Sequence, residues 1–324
     1  MKAVHCTRFG TADDLEIADI PIPQAGPGEA LVRIKVAALN FFDTLIIAGK
    51  YQHKPPFPFS PAAEFAGVVE SIGPGVTEVA PGDRVMGFPG WGAAREFAAV
   101  QARLLVKLPD KLDFERAAGL SVTYGTGLYA LRERAGLKSG ETLVVLGASG
   151  GTGLAAIELG KVLGARVIAC ASSDGKLALA CKHGADETVN YESEDLRDAL
   201  RRLGGEHGID VVYDPVGGPY AEPAIRSLAR EGRYLVVGFA AGEIPKIPLN
   251  LVLLKSCDVR GVFWGNWGKR EPAAQHALLT DLARLCAEGK LSAHVHAVYP
   301  LTDIAAALKV IADRKVMGKI LLKP

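Results

Sequence analysis

The rhythm of apolar and polar positions changes twice along these 324 residues. Up to about residue 120, short apolar stretches are punctuated by turn residues. Ala30-Leu-Val-Arg-Ile-Lys-Val36 alternates apolar with basic side chains, which predicts a half-buried antiparallel strand. Gly26-Pro-Gly28, Gly73-Pro-Gly75 and Pro81-Gly-Asp83 predict turns between further strands near 66–72, 83–88 and 95–107. Many short strands joined by Gly/Pro turns argue for a small β-barrel-like unit. Lys54-Pro-Pro-Phe-Pro-Phe-Ser-Pro61 is too proline-rich for a central strand and reads as a stiff extended loop.

From about residue 121 the pattern becomes alternating helix and strand. Thr142-Leu-Val-Val-Leu146 reads as a buried strand that runs straight into Gly147-Ala-Ser-Gly150-Gly151-Thr152-Gly153. Leu154, Ala155, Ala156, Ile157, Leu159, Val162 and Leu163 then form a nearly all-apolar helix, broken only by Glu158 and Lys161. Gly164 ends it, and Arg166-Val-Ile-Ala-Cys170 is a second buried strand, giving a βαβ unit of the expected ~30 residues. Leu177, Ala180, Cys181 and Gly184 share one helical face. Further strands follow at 188–191, 209–213 and 234–237 and near 258–263, so the region is a doubly wound parallel sheet of the α/β class.

The C-terminal part is mixed. Leu278, Leu282 and Leu285 stripe one helix, and Asp303 is placed to cap a second carrying Ile304, Ala307, Leu308 and Ile311. Gly318-Lys-Ile-Leu-Leu322 reads as a closing strand that completes the first unit. The expected domains are therefore 1–122, 123–264 and a return to the first domain over 265–324, with the active site in the cleft between them.

The glycine turn carries the first chemical signal. A strand, a tight glycine turn and a helix, in that order, suit a dinucleotide pyrophosphate, because backbone N–H groups and the helix dipole converge on the anion. The strict fingerprint has Ala148 at its first glycine position, followed by Gly150 and Gly153.

Composition narrows the classes. A length of 324 residues suits two domains, and 37 basic against 36 acidic residues give no electrostatic reason to invoke nucleic acid or an anionic membrane. Met1-Lys-Ala-Val-His-Cys-Thr-Arg8 lacks the apolar core of a signal peptide, and the uncharged stretch 142–157 is too short and glycine-rich to span a bilayer. The five dispersed cysteines are those of reduced, mostly buried thiols in a cytoplasmic protein.

Several strings in this order and spacing resemble the medium-chain dehydrogenase/reductase superfamily, in its zinc-independent quinone oxidoreductase branch. They are Asn40-Phe-Phe-Asp43, Pro61-Ala-Ala-Glu64-Phe-Ala-Gly67, Pro81-Gly-Asp-Arg-Val85, Val122-Thr-Tyr-Gly-Thr126 and the Gly150–Gly153 turn. Gly184-Ala-Asp186, Val189-Asn-Tyr191, Asp214-Pro-Val-Gly-Gly218 and Val237-Gly-Phe239 complete the set. The resemblance implies a GroES-like barrel with a Rossmann domain and, commonly, a homodimer whose Rossmann sheets pair edge to edge.

Zinc relatives carry Cys and Gly-His-Glu where this chain has Asn40 and Ala62-Ala63-Glu64, so two of three catalytic ligands are missing and no metal is expected. His294 and His296 lie on one side of a predicted strand without a third ligand. The end of the second Rossmann strand, Cys170-Ala171-Ser172-Ser173, lacks the acid that holds a ribose 2′-OH in NAD enzymes. With Lys176 nearby, and with Tyr191 and Arg314 matching family contacts to a 2′-phosphate, the expected cofactor is NADPH; Asp174 is the discordant residue.

The resemblance further implies that the turn Ala148, Ser149, Gly150, Gly151, Thr152 and Gly153 holds the pyrophosphate. It also implies that Gly238 binds the cofactor and that Thr126, Phe239, Phe263 and Trp264 border the nicotinamide, although the aromatics also suit packing, Phe263 equally so. Asn40 and Tyr51 match substrate-lining positions, and Tyr51 can donate a hydrogen bond to a carbonyl oxygen, whereas Asp43 suits a role in orienting backbone. Without a Lewis acid the acceptor must be activated by itself: a quinone, or the C=C bond of an enal, enone or enoyl-CoA. The alternative of another class is a non-catalytic, crystallin-like NADPH-binding protein.

Overall fold

The computed structural model describes residues 1–324 and divides them into two compact units. One comprises Met1–Val122, Glu271–Gly289 and Ala293–Pro324; the other comprises Thr123–Arg270 and Lys290–Ser292. The boundary expected at residue 264 therefore moves to Arg270. The Trp264–Arg270 helix stays with the second unit because Trp264 and Trp267 pack on Tyr129, with ring centroids 6.1 Å and 4.7 Å from it.

In the first unit the Glu29–Leu39 strand is the hub. It pairs antiparallel with Glu64–Ile72, Phe97–Gln101 and Lys319–Lys323, and the sheet continues through Arg84–Gly87 to Leu105–Lys107. Its alternation holds as Val32, Ile34 and Val36 turn inward and Arg33 and Lys35 outward. The apolar core beneath collects Phe59, Phe65 and Leu105 together with Ile304, Leu308 and Ile311 of the C-terminal helix. Two local expectations need correction. Asp303 occupies the first position before that helix but makes no capping bond, because a 3₁₀ turn over Leu301–Asp303 leads into it. His294 lies outside the Val295–Pro300 strand and against Gly318, while His296 is exposed.

The second unit holds six parallel strands in the order Glu187–Asn190, Arg166–Ala171, Thr142–Leu146, Ile209–Asp214, Leu228–Val236, Asp258–Gly261. The order reverses between Thr142–Leu146 and Ile209–Asp214, and in open sheets of this kind ligands bind outside the carboxyl ends of the strands at such a point. Both strands are buried on both faces, as their continuous apolar runs require. On the Asp174–Lys182 helix Leu177 and Ala180 are buried, but Cys181 is exposed, since the buried face is narrower than its apolar residues. No helix is long and apolar enough to cross a membrane.

Glu158 lies inside this unit, although the pattern gave only an interruption of an apolar helix. Its carboxylate accepts from Tyr124 Oη (2.8 Å), the Ser292 N–H (2.9 Å) and Ser292 Oγ, and it meets His183 Nδ1 at 2.6 Å. Burial alone raises such a carboxyl, but the hydrogen bonds from His183, Ser292 and Tyr124 outweigh it and hold Glu158 below the ordinary range.

Candidate functional site

The glycine turn lies at the point where strand order reverses. The helix Gly151–Val162 begins directly after it, and the N–H groups of Gly151, Thr152 and Gly153 fall in the first turn, where no helical carbonyl can take them. Two glycines serve different purposes. A Cβ on Gly153 would lie 2.3 Å from the Gly147 carbonyl oxygen and 2.8 Å from Ala148 Cα, so packing of strand end on helix demands glycine. A Cβ on Gly150 would meet nothing closer than 3.6 Å, and its backbone is ordinary (φ −71°). The protein's own packing leaves that space open, which fits a pyrophosphate approaching the backbone. Ala148 is buried and accommodated with its side chain inward, while Gly147, at φ +61°, makes the bend.

Beyond the next strand, Ser172, Lys176 and Tyr191 come together. Lys176 Nζ donates to Ser172 Oγ at 2.9 Å, and the Tyr191 hydroxyl hydrogen-bonds with Ser172. Burial, with the tilted Tyr220 ring 4.3 Å away, pushes the Tyr191 hydroxyl up to about 12, so it stays a donor. Ser173 stands at the N-cap position of the following helix, makes no side-chain capping bond and is exposed. Asp174, the discordant acid, accepts from the Asn190 amide at 2.8 Å. Two hydroxyls after neighbouring strands and one cation on the helix between them have the chemistry to hold an anion.

On the far side of the reversal, Asp214 Oδ1 accepts from the N–H groups of Val216 (2.7 Å) and Gly217 (2.8 Å), and its other oxygen accepts from Tyr234. This fixes the Asp214–Gly218 turn beside Gly238, whose Cβ would stand 3.2 Å from the Pro215 oxygen. Phe239 and Phe263 are exposed, and Thr126 is half-buried on the Leu120–Leu128 helix. Trp264 is different: it is buried over Gly125, where a Cβ would come within 2.7 Å of its ring, and its indole N–H has no partner. Packing accounts for its ring. Arg314 belongs to the first unit, exposed at the end of the Ile304–Ala312 helix with φ +58°.

In the first unit, register brings together residues far apart in sequence. Leu39 pairs with Ile320 and Ala38 with Glu64, so Asn40, Glu64 and Lys319 meet where three strands end. All three are buried. Lys319 Nζ donates to Asn40 Oδ1 (2.7 Å), Glu64 Oε1 (2.7 Å) and the Leu39 carbonyl (3.1 Å). Asn40 Nδ2 also donates to Glu64 Oε1 (3.0 Å), while Glu64 Oε2 accepts from the Val122 N–H (2.8 Å). Every charge is paired and bonded, the condition on which a buried ion pair is tolerated.

Asp43 underpins this corner. Its carboxylate accepts from the Asn40 N–H (2.7 Å) and the Ala62 N–H (3.2 Å), so it does orient backbone, including Ala62 in the left-handed region at φ +65°. Burial pushes its carboxyl up to about 7 against the pull of those bonds and of Lys319. Tyr51 stacks on Phe42 at 5.4 Å, and burial beside Asp43 raises its hydroxyl, leaving a protonated donor at neutral pH. Lys319 had no signal in the sequence: a lysine opening a strand ordinarily faces solvent.

A catalytic zinc does not fit this corner. The donors are an amide and one carboxylate already bonded to an ammonium, and no three His, Cys, Asp or Glu gather anywhere to hold a metal ion.

With the geometry in place, comparison with known proteins is informative. Residues 26–110 match the alcohol dehydrogenase GroES-like domain family and residues 151–280 the zinc-binding dehydrogenase family. The chain is 39% identical over 309 residues to quinone oxidoreductase-like protein 2 of Bos taurus, covering 95% of this chain and 88% of that one. It is 33% identical to a quinone oxidoreductase of Pseudomonas aeruginosa, over 100% of this chain and 99% of the relative. The structure of Escherichia coli quinone oxidoreductase complexed with NADPH superposes with a TM-score of 0.93 at 29% identity, covering 100% of both chains.

Proposed function

This chain belongs to the medium-chain dehydrogenase/reductase superfamily, among its quinone oxidoreductase-like members, and from that premise we propose a zinc-independent NADPH reductase of quinones. The observation that carries the proposal is the buried Lys319 ammonium bonded to Asn40 and Glu64, which fills with a side chain the corner that zinc relatives give to a metal. An acceptor reduced without a Lewis acid must delocalise incoming charge itself, as a quinone does.

NADPH supplies a hydride when bound; with a proton from solvent, a quinone gains two electrons and two protons and leaves as the hydroquinone. The chain's own residues bind and orient. The Ser149–Gly153 backbone takes the pyrophosphate, and Ser172, Lys176 and Tyr191 take the 2′-phosphate. Asn40 and Tyr51 offer N–H and O–H donors to the acceptor oxygen.

The deciding experiment is NADPH oxidation by metal-free protein with 1,4-benzoquinone, 9,10-phenanthrenequinone, a 2-alkenal and crotonyl-CoA, each repeated with NADH. Preference for a quinone with NADPH supports the proposal. Preference for the alkenal or crotonyl-CoA moves it to C=C reduction, and no turnover despite NADPH binding moves it to the non-catalytic reading. Lys176→Glu should weaken NADPH binding about 30-fold or more while sparing NADH, since it replaces an attractive charge with a repulsive one. Equal losses in both titrations would remove the 2′-phosphate assignment.

A cytoplasmic homodimer completes the proposal. The outermost strand Asp258–Gly261 has one unpaired edge, and on the Leu249–Lys255 helix just before it in sequence Leu249, Leu253 and Leu254 are each more than three-quarters exposed (79%, 76% and 76%). Sedimentation should give twice the chain mass for the natural protein and a monomer for Leu253→Glu/Leu254→Glu; a natural monomer counts against it.

A further inference from the structure

We propose that Lys319 is a positioning residue that locks the Asn40 amide in one orientation, making Asn40 a hydrogen-bond donor to the acceptor's carbonyl oxygen. The inference rests on the reading that Asn40 faces the acceptor, and it adds what determines the face Asn40 presents.

An asparagine amide can turn over and exchange its oxygen for its nitrogen. Here each neighbour permits one arrangement only. Lys319 has donors and no acceptor, so it must meet Oδ1. The Glu64 carboxylate bonded to that ammonium accepts, so it must meet Nδ2. The two constraints agree, and turning the amide over would set N–H against N–H and oxygen against oxygen inside a buried corner.

The donor count identifies what is left over. Lys319 spends its three N–H groups on Asn40, Glu64 and Leu39 and has none for a ligand. Both Glu64 oxygens are taken, one by Val122. The Asn40 amide has two N–H bonds, of which Glu64 uses one. The other makes no hydrogen bond to the protein, and it belongs to a group held rigid by an ion pair. A fixed donor of this kind is most useful where negative charge develops, as on a quinone oxygen when hydride reaches the ring. Lys319 thus acts on the acceptor through Asn40 and never touches it.

The test is a double-mutant cycle on the full chain, reading kcat/KM for 1,4-benzoquinone, NADPH affinity by fluorescence and folding by circular dichroism. Asn40→Ala and Lys319→Met should each lower kcat/KM on the order of 10²-fold and leave NADPH affinity unchanged. Because both remove the same oriented N–H, Lys319→Met should cost less than about 3-fold in the Asn40→Ala background. Asn40→Asp, which keeps an acceptor for Lys319 but has no N–H, should fold and be as slow as Asn40→Ala. Should Lys319→Met not fold, Lys319→Gln takes its place in the cycle: it keeps a neutral donor for Asn40 Oδ1 and should stay within about 10-fold of the natural enzyme.

A full second loss on adding Lys319→Met to Asn40→Ala, unchanged kinetics for Lys319→Met, or Lys319→Gln as slow as Asn40→Ala would each overturn the positioning role. Undiminished turnover by Asn40→Ala would instead overturn the underlying reading that Asn40 faces the acceptor.

Discussion

Alanine at position 153 is expected to destabilise the protein by roughly 3 kcal/mol or more, whereas alanine at position 150 is expected to leave stability within about 0.5 kcal/mol and abolish cofactor binding. The difference follows from what each added methyl meets. At 153 it strikes backbone: the Gly147 oxygen at 2.3 Å and Ala148 at 2.8 Å, neither of which can swing aside as a side chain can. At 150 the nearest atom is 3.6 Å away, ordinary van der Waals contact. On the proposed phosphate assignment, the methyl would occupy space that the pyrophosphate needs. Urea denaturation with NADPH titration of both variants separates the effects. A Gly150→Ala protein that binds NADPH normally would remove the phosphate assignment, and a stable Gly153→Ala protein would show that the helix can slide on its strand.

Glu158→Ala should cost about 3–5 kcal/mol at neutral pH, the range for breaking a buried, bonded charge. Its four contacts come from three residues: Tyr124 is buried, and His183 and the more exposed Ser292 converge on the same carboxylate. The sign of the pH effect is fixed by the lowered carboxyl. Its stabilisation is present above the unfolded carboxylate range, near 4.3, and is lost as pH falls through the native value. Unfolding curves at pH 7 should therefore separate the two proteins widely, and curves in progressively stronger acid should bring them together. A gap that stays constant with pH would mean that lost packing, not the charge, carries the cost.

Much of the second unit was legible because its signals are local. Thr142–Leu146, the turn and the helix after it form one continuous string, and Ser172 and Tyr191 each follow directly on a strand, with Lys176 in the helix after the first. The first unit's corner was legible only in part. Asn40 and Asp43 lie in one motif and act on each other across three residues. Lys319 is 279 residues from Asn40, and nothing in hydrophobic periodicity marks a lysine that turns inward. Glu158 was hidden for the same reason: a charged residue in an apolar helix reads as its wet face unless its partners, 25 to 134 residues away, are known. Trp264 stayed ambiguous, since an aromatic at a cofactor-lining position and one in a packed cluster leave the same mark on a sequence; the structure shows it packed on Tyr129 and Gly125.

The hub strand's pairing also sets a schedule for synthesis. Glu29–Leu39 can find Glu64–Ile72 soon after both emerge, but the strand that brings the ammonium to Glu64 follows 255 residues later. At about 5–20 residues per second, that is a delay of roughly 13–50 s. Through this interval the nascent first unit holds a carboxylate in a fold that lacks its counter-ion, while the whole parallel-sheet unit is made and can fold. The Asn40–Glu64–Lys319 corner is thus among the last parts of the molecule to become complete. A slowed ribosome, or a chain cut short before its closing strand, would yield a finished cofactor unit attached to an unfinished partner.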